Sequence, residues 1–187
     1  IISLLFQTGY LTIREKDEYG FYMLDYPNEE VRRSFAGSLL EAYSSKQQSD
    51  IGQTTRDLLI SLKNNDMDEF RDNINVLFSS IPHQIFLDNF EAYYHSIIFL
   101  TLRLLGRYIT VEQSSSRGRS DAVVRTDEIV YVFEFKMPPN TAEDAIKQIK
   151  EKGYHTPYLK DKRQKFMIGI TFDPDKKQIG EMKIEEF

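Results

Sequence analysis

Residues 116–136 read S-R-G-R-S-D-A-V-V-R-T-D-E-I-V-Y-V-F-E-F-K. Two apolar runs, residues 120–125 and 129–137, flank the polar turn Thr126-Asp127-Glu128. The second run is rich in β-branched and aromatic residues, which suit a pleated, buried surface, so both runs are read as strands of a hairpin. Side chains alternate along a strand. Val130, Val132, Glu134 and Lys136 therefore share one face of the second strand, and Ile129, Tyr131, Phe133, Phe135 and Met137 share the other.

A carboxylate and an ammonium set into so apolar a strand are costly unless they pair, bind a metal or reach solvent at a cleft. Asp121 opens the first strand, and a hairpin carries it toward Glu134. Two carboxylates held close repel each other, and an oxygen-preferring divalent cation relieves that repulsion. Lys136 stands one pleat along, where an ammonium can orient a water or stabilise negative charge developing on a phosphate. These are the parts of a phosphodiester-hydrolysing site. The two arginines just upstream, Arg117 and Arg119, are suited to gripping a phosphate beside the acid. Glu112 is a second candidate ligand, ranked below Asp121 and Glu134.

The acid, the gap and then Glu134-Phe135-Lys136 resemble the PD-(D/E)XK nuclease superfamily, the restriction-endonuclease-like fold. Four blocks carry a closer likeness: Glu91-Ala92-Tyr93-Tyr94-His95-Ser96, Ser116-Arg117-Gly118-Arg119-Ser120-Asp121, Val132-Phe133-Glu134-Phe135-Lys136 and Gln148-Ile149-Lys150-Glu151-Lys152-Gly153-Tyr154. Together they resemble the nuclease-like tail of a bacterial and archaeal group in which an AAA-type ATPase domain precedes the tail. An acid-x-Lys triplet alone arises often by chance, whereas four blocks in order over about half the chain are specific for the fold. The chain departs from the superfamily's namesake pattern at Ser120, which stands where a proline would precede the first acid.

The resemblance implies an α/β fold, a mixed sheet flanked by helices, preceded by a smaller, mostly helical, winged-helix-like region. It implies Mg²⁺ or Mn²⁺ held by Asp121 and Glu134 with Glu91 assisting, and Lys136 and Gln148 managing the attacking water. Tyr154 is placed near substrate, with nucleic acid (DNA first) as partner and an upstream ATPase domain in the same polypeptide. Superfamilies of this kind also include members that bind without cutting, so a silent binding or coupling module is the alternative. A third reading, a structural Glu134–Lys136 ion pair, leaves Asp121 and the arginines unexplained.

At 187 residues, with 41% hydrophobic and 28% charged residues, the chain can bury a real core. It has no cysteine, which removes disulfides and thiolate zinc sites and makes the cytoplasm the simplest compartment. The apolar start, residues 1–6, is too short to span a bilayer, and the missing initiator methionine points to a piece of something longer. A net charge of −5 argues against a protein that coats nucleic acid non-specifically. Residues 1–80 carry 13 acids and 8 bases, while residues 117–165 carry 11 bases and 8 acids, so any nucleic-acid contact belongs to the second half.

Along the chain, residues 1–7 read as a helix closed by Gly9, and residues 10–14 and 19–25 as a hairpin. A helix over residues 29–43 has Asn28 as its cap. Residues 44–53 read as a polar connection, followed by helices over 54–63 and 66–79. The best boundary falls near residues 79–82, dividing the chain into 1–80 and 81–187. The longest helical pattern covers residues 85–105 and contains Glu91 and His95, the latter read as packed rather than as a general base. Strands over 108–113, 165–173 and 178–187 complete the sheet, with a helix over 140–152 supplying the crossover between parallel strands. The basic, aromatic stretch 154–164 is a candidate backbone-tracking segment.

Overall fold

The structure, a computed structural model, describes residues 1–44, 48–80, 90–105, 110–112 and 120–187. Helix α1 (Ile2–Gln7) leads into a small hairpin, β1 (Thr12–Lys16) and β2 (Tyr22–Asp25), and then helix α2 (Glu29–Tyr43), the helix–hairpin–helix order anticipated. Asn28 caps α2 by accepting the Val31 N–H at 2.9 Å. Helices α3 (Gln48–Asn64), α4 (Met67–Ser79) and α5 (Phe90–Leu105) follow.

One boundary is corrected. Residues 48–53 are helix rather than connection, because Ile51, Leu58 and Leu62 fall on one buried stripe. The polar residues between are compatible with that helix: Thr54 and Thr55 donate their hydroxyls to the carbonyls of Asp50 and Ile51 at 2.9 and 2.7 Å. Burial of the stripe outweighs a composition that reads locally as loop.

The main sheet has five strands in the order β3 (Thr110–Glu112), β4 (Ala122–Arg125), β5 (Ile129–Lys136), β6 (Gln164–Asp173), β7 (Gln178–Glu186). All neighbours are antiparallel except β5 and β6, which run parallel and are connected through helix α6 (Ala142–Lys152). A parallel pair needs such a crossover. The sheet is mixed and flanked by helices, consistent with a restriction-endonuclease-like fold.

The alternation in β5 sorts the two layers. Tyr131, Phe133 and Phe135 point into the larger core with Leu58, Phe70, Phe78, Tyr94 and Ile97 from the helices before the sheet. Val130 and Val132 point the other way, into a smaller core with Ile146 and Ile149 of α6. The larger core draws on residues from both sides of residue 80. A tie of the same kind runs from Tyr131 of β5, whose hydroxyl donates to the Leu62 carbonyl in the last turn of α3 at 2.8 Å. Among the described residues no helix is long and apolar enough to cross a membrane.

Candidate active site

The face of β5 that turns toward α6 carries the polar residues. Ala122 pairs with Phe133 in an antiparallel register, which places Asp121, one residue earlier, opposite Glu134 on that same face. The Asp121 carboxylate accepts the Phe135 N–H at 2.7 Å, which anchors the acid at the strand end. Glu134 lies deeper, 2% exposed.

Two donors converge on one oxygen of Glu134. The Lys136 ammonium reaches Oε1 at 2.9 Å, and the Gln148 side-chain amide donates to the same Oε1. Lys136 is about one-fifth exposed, so its charge still meets solvent at the edge of the site. The other oxygen, Oε2, is buried and makes no hydrogen bond among the described residues. A buried acceptor left in that state is costly.

Burial pushes the Glu134 carboxyl up to about 7, and the charge on Asp121 adds to the rise. The hydrogen bond and charge of Lys136 pull the other way, and the Asp121 main chain favours the anion more weakly. Near neutral pH the group is thus poised between its two forms.

Gln148 is delivered by α6. Its start is fixed by a capping box: the Thr141 hydroxyl accepts the Asp144 N–H at 3.1 Å, and the Asp144 carboxylate accepts the Thr141 N–H at 2.8 Å. Ala142, Ala145, Ile146 and Ile149 face the sheet, and the helix stops at Gly153 in the left-handed region, φ 67°. Beneath α6, Gly169 of β6 pairs with Glu134. A Cβ on Gly169 would lie 2.2 Å from the Ala142 carbonyl oxygen. Sequence reasoning missed this glycine, although a glycine inside an otherwise apolar strand signals close backbone approach.

Asp121, Glu134, Lys136 and Gln148 are therefore brought together. Tyr154 is not with them. It is 5% exposed and packed among Val123, Val132, Ile146, Ile149 and Met167, because the turn after α6 folds its ring under the helix. The expectation that it faces substrate is corrected: its ring is core. His95 is packed, as anticipated, its ring edge-on to Phe135 at 5.6 Å on the opposite face of β5 from Glu134. In the basic stretch, Arg163 is committed to Asp161 (2.5 and 2.9 Å) and to the Thr126 carbonyl (2.9 Å), and Lys165 donates to main-chain carbonyls. Arg163 thus braces the turn between β4 and β5, and Lys165, just beyond the stretch, closes the loop that precedes β6. The side chains of Glu91, Glu112, Arg117 and Arg119 lie outside the described residues. Two clefts, of about 670 and 280 Å³, border α2 and contain none of the site residues.

Among the described residues no group of three His, Cys, Asp or Glu side chains forms a metal cage. Glu134 and Asp121 nevertheless fit a hard divalent cation. Both supply oxygen donors from one face, and Oε2 is a buried acceptor without a hydrogen bond among the described residues. Mg²⁺ in particular is held by one or two carboxylates with water and phosphate completing its shell.

A sequence model described as the PD-(D/E)XK nuclease superfamily matches residues 89–182, which span every residue of this site. A protein of Azotobacter chroococcum mcd 1, described as an uncharacterized protein in the vnfD 5' region, is 34% identical over 193 aligned residues. That alignment covers 98% of this chain and 37% of the Azotobacter protein, so the chain spans a little over a third of that relative's length. No solved structure matches the chain.

Proposed function

The chain belongs to the PD-(D/E)XK nuclease superfamily, and on that premise we propose that it is a divalent-metal-dependent nuclease hydrolysing phosphodiester bonds of nucleic acid, with DNA as the first substrate to test. The observation that carries this is the constellation on one face of β5: a buried Glu134 opposite Asp121, with Lys136 and Gln148 on the same carboxylate oxygen. Asp121 and Glu134 hold the cation, Mg²⁺ or Mn²⁺, with Glu91 as an assisting acid. When bound, such a cation supplies Lewis acidity toward water and toward the phosphate oxygens.

The remaining work belongs to the chain. Lys136 presents its ammonium to negative charge growing on the phosphate. Gln148 holds Glu134 in place with one amide proton, leaving its second proton and its carbonyl to orient water. Arg117 and Arg119, four and two residues before Asp121, grip flanking phosphates. The four sequence blocks support a place behind an AAA-type ATPase domain in a longer polypeptide, where nucleotide hydrolysis would move or admit the nucleic acid.

A second reading is a silent member that binds nucleic acid or protein and couples to the ATPase. The closed Lys136–Glu134 pair favours it, since that contact satisfies Lys136 without substrate. Cleavage of single-stranded, duplex and branched DNA and of RNA, with Mg²⁺ or Mn²⁺, separates the two. Metal-dependent cutting that Asp121→Ala abolishes while the variant stays folded supports the nuclease. Metal-dependent binding without cutting of any substrate establishes the silent module.

A further inference from the structure

Glycine weakens a strand interior, and in a chain of this packing it persists where another backbone comes close. Gly169 sits between Ile168 and Ile170 in the middle of β6, both fully buried. It is in register with Glu134 on β5, at the level of the site. Above it runs the first turn of α6. A Cβ built on Gly169 meets the Ala142 carbonyl oxygen at 2.2 Å and the Ala145 Cβ at 3.0 Å. The nearer of these is main chain, which cannot swing aside as a flexible side chain could.

Gln148 is three residues beyond Ala145, so it lies on the same stripe of α6, one turn down. The height of that stripe above the sheet decides whether its amide reaches Glu134. We propose that Gly169 is a positioning residue: its missing side chain seats α6 against the sheet so that Gln148 closes its hydrogen bond to Glu134. The seat is held from two more sides. Glu181 of β7 accepts the Ala142 N–H at 3.2 Å, and the Thr141–Asp144 capping box fixes the turn above it.

An ordinary contact for the added carbon starts near 3.4 Å. Gly169→Ala must therefore part helix and strand by about 1 Å at this point, and a hydrogen bond stretched by that amount is lost. The contact itself is independent of the nuclease reading. Its catalytic consequence rests on that reading, where a displacement of about 1 Å costs about 100-fold in rate.

The test compares the whole chain with Gly169→Ala by ¹⁵N-resolved spectra of the Gln148 side-chain amide, assigned by its disappearance in Gln148→Ala. The amide protons of a carboxylate-bound Gln148 stand apart from those of exposed glutamines. In Gly169→Ala they move to the exposed position while the rest of the spectrum stays dispersed. With active enzyme, kcat falls about 100-fold at unchanged KM, and Gly169→Ala combined with Gln148→Ala cuts no worse than Gln148→Ala alone. An unshifted Gln148 amide in folded Gly169→Ala overturns the proposal, and so do losses that multiply in the double variant. Should Gly169→Ala not fold, Ala145→Val pushes on the same contact from the helix side, and its Gln148 amide decides in the same way. If no variant cuts any substrate, the nuclease reading fails while the amide shift still reads the positioning role.

Discussion

Replacing Glu134 by glutamine isolates the energetic cost of the site. The carboxyl ionises near 4.5 when free, and burial beside Asp121 pushes it to about 7 in the fold. Between those pH values the folded chain holds a proton that the unfolded chain has released. Raising the pH through this window therefore destabilises the fold. Below the window both forms are protonated and the penalty vanishes; above it the penalty is complete. A separation of about 2.5 pH units corresponds to about 3 kcal/mol at 1.36 kcal/mol per unit. Glu134→Gln keeps the shape and an acceptor for Lys136 and cannot ionise. Urea unfolding of both proteins, without metal, at half-unit steps from pH 4.5 to 8 gives the difference in stability directly. The variant is expected to gain on the parent progressively across the window, by about 3 kcal/mol in all. Taking the difference removes the titration of other groups, which both proteins share. Parallel stability curves would refute the reasoning, since they would mean that Glu134 ionises alike in folded and unfolded chains.

Three further outcomes follow from the same geometry. On the proposed nuclease reading, Lys136→Ala should lower cleavage by about 10²–10³-fold while calorimetry shows metal affinity retained, because the ammonium would serve the phosphate and not the cation. Tyr131→Phe removes the hydroxyl bonded to the Leu62 carbonyl and should cost about 1–3 kcal/mol of stability by denaturant unfolding, because it leaves that carbonyl buried without this donor. Tyr154→Phe should leave nucleic-acid affinity unchanged in a filter or anisotropy assay, since the ring is packed in the core and not on the substrate face; a tenfold loss would restore Tyr154 to the binding surface.

The hairpin and the sorting of β5 were legible because strand alternation has a period of two, and a single charged pair fixes which face is which. Asp121 opposite Glu134 follows from that register. Gln148 was legible only through resemblance: it is fourteen residues from Glu134, and nothing local indicates where a crossover helix will land. Tyr154 misled for a related reason. The resemblance places it near substrate, yet the αL turn at Gly153 reverses the chain and the ring packs in the core. The start of α3 was hidden by its composition, for Gln48, Ser49 and Asp50 look like loop until Ile51 and Leu58 find a core to enter. In each case the missing information was tertiary: what the segment packs against.

Glu134 explains why the surrounding structure is so firmly braced. A buried carboxylate beside a second acid destabilises the chain that carries it, and a fold under selection for stability alone would replace it with another valine of the β5 series. The Lys136 and Gln148 contacts offset part of that cost, but both fall on Oε1, leaving Oε2 with no hydrogen bond among the described residues. An arrangement that satisfies one oxygen twice, while Gly169 and the α6 cap hold the second donor to that same atom, is economical only if the other oxygen has a partner of its own. On the proposed reading a divalent cation shared with Asp121 would be that partner, its charge offsetting the desolvation and the repulsion that raise the Glu134 carboxyl.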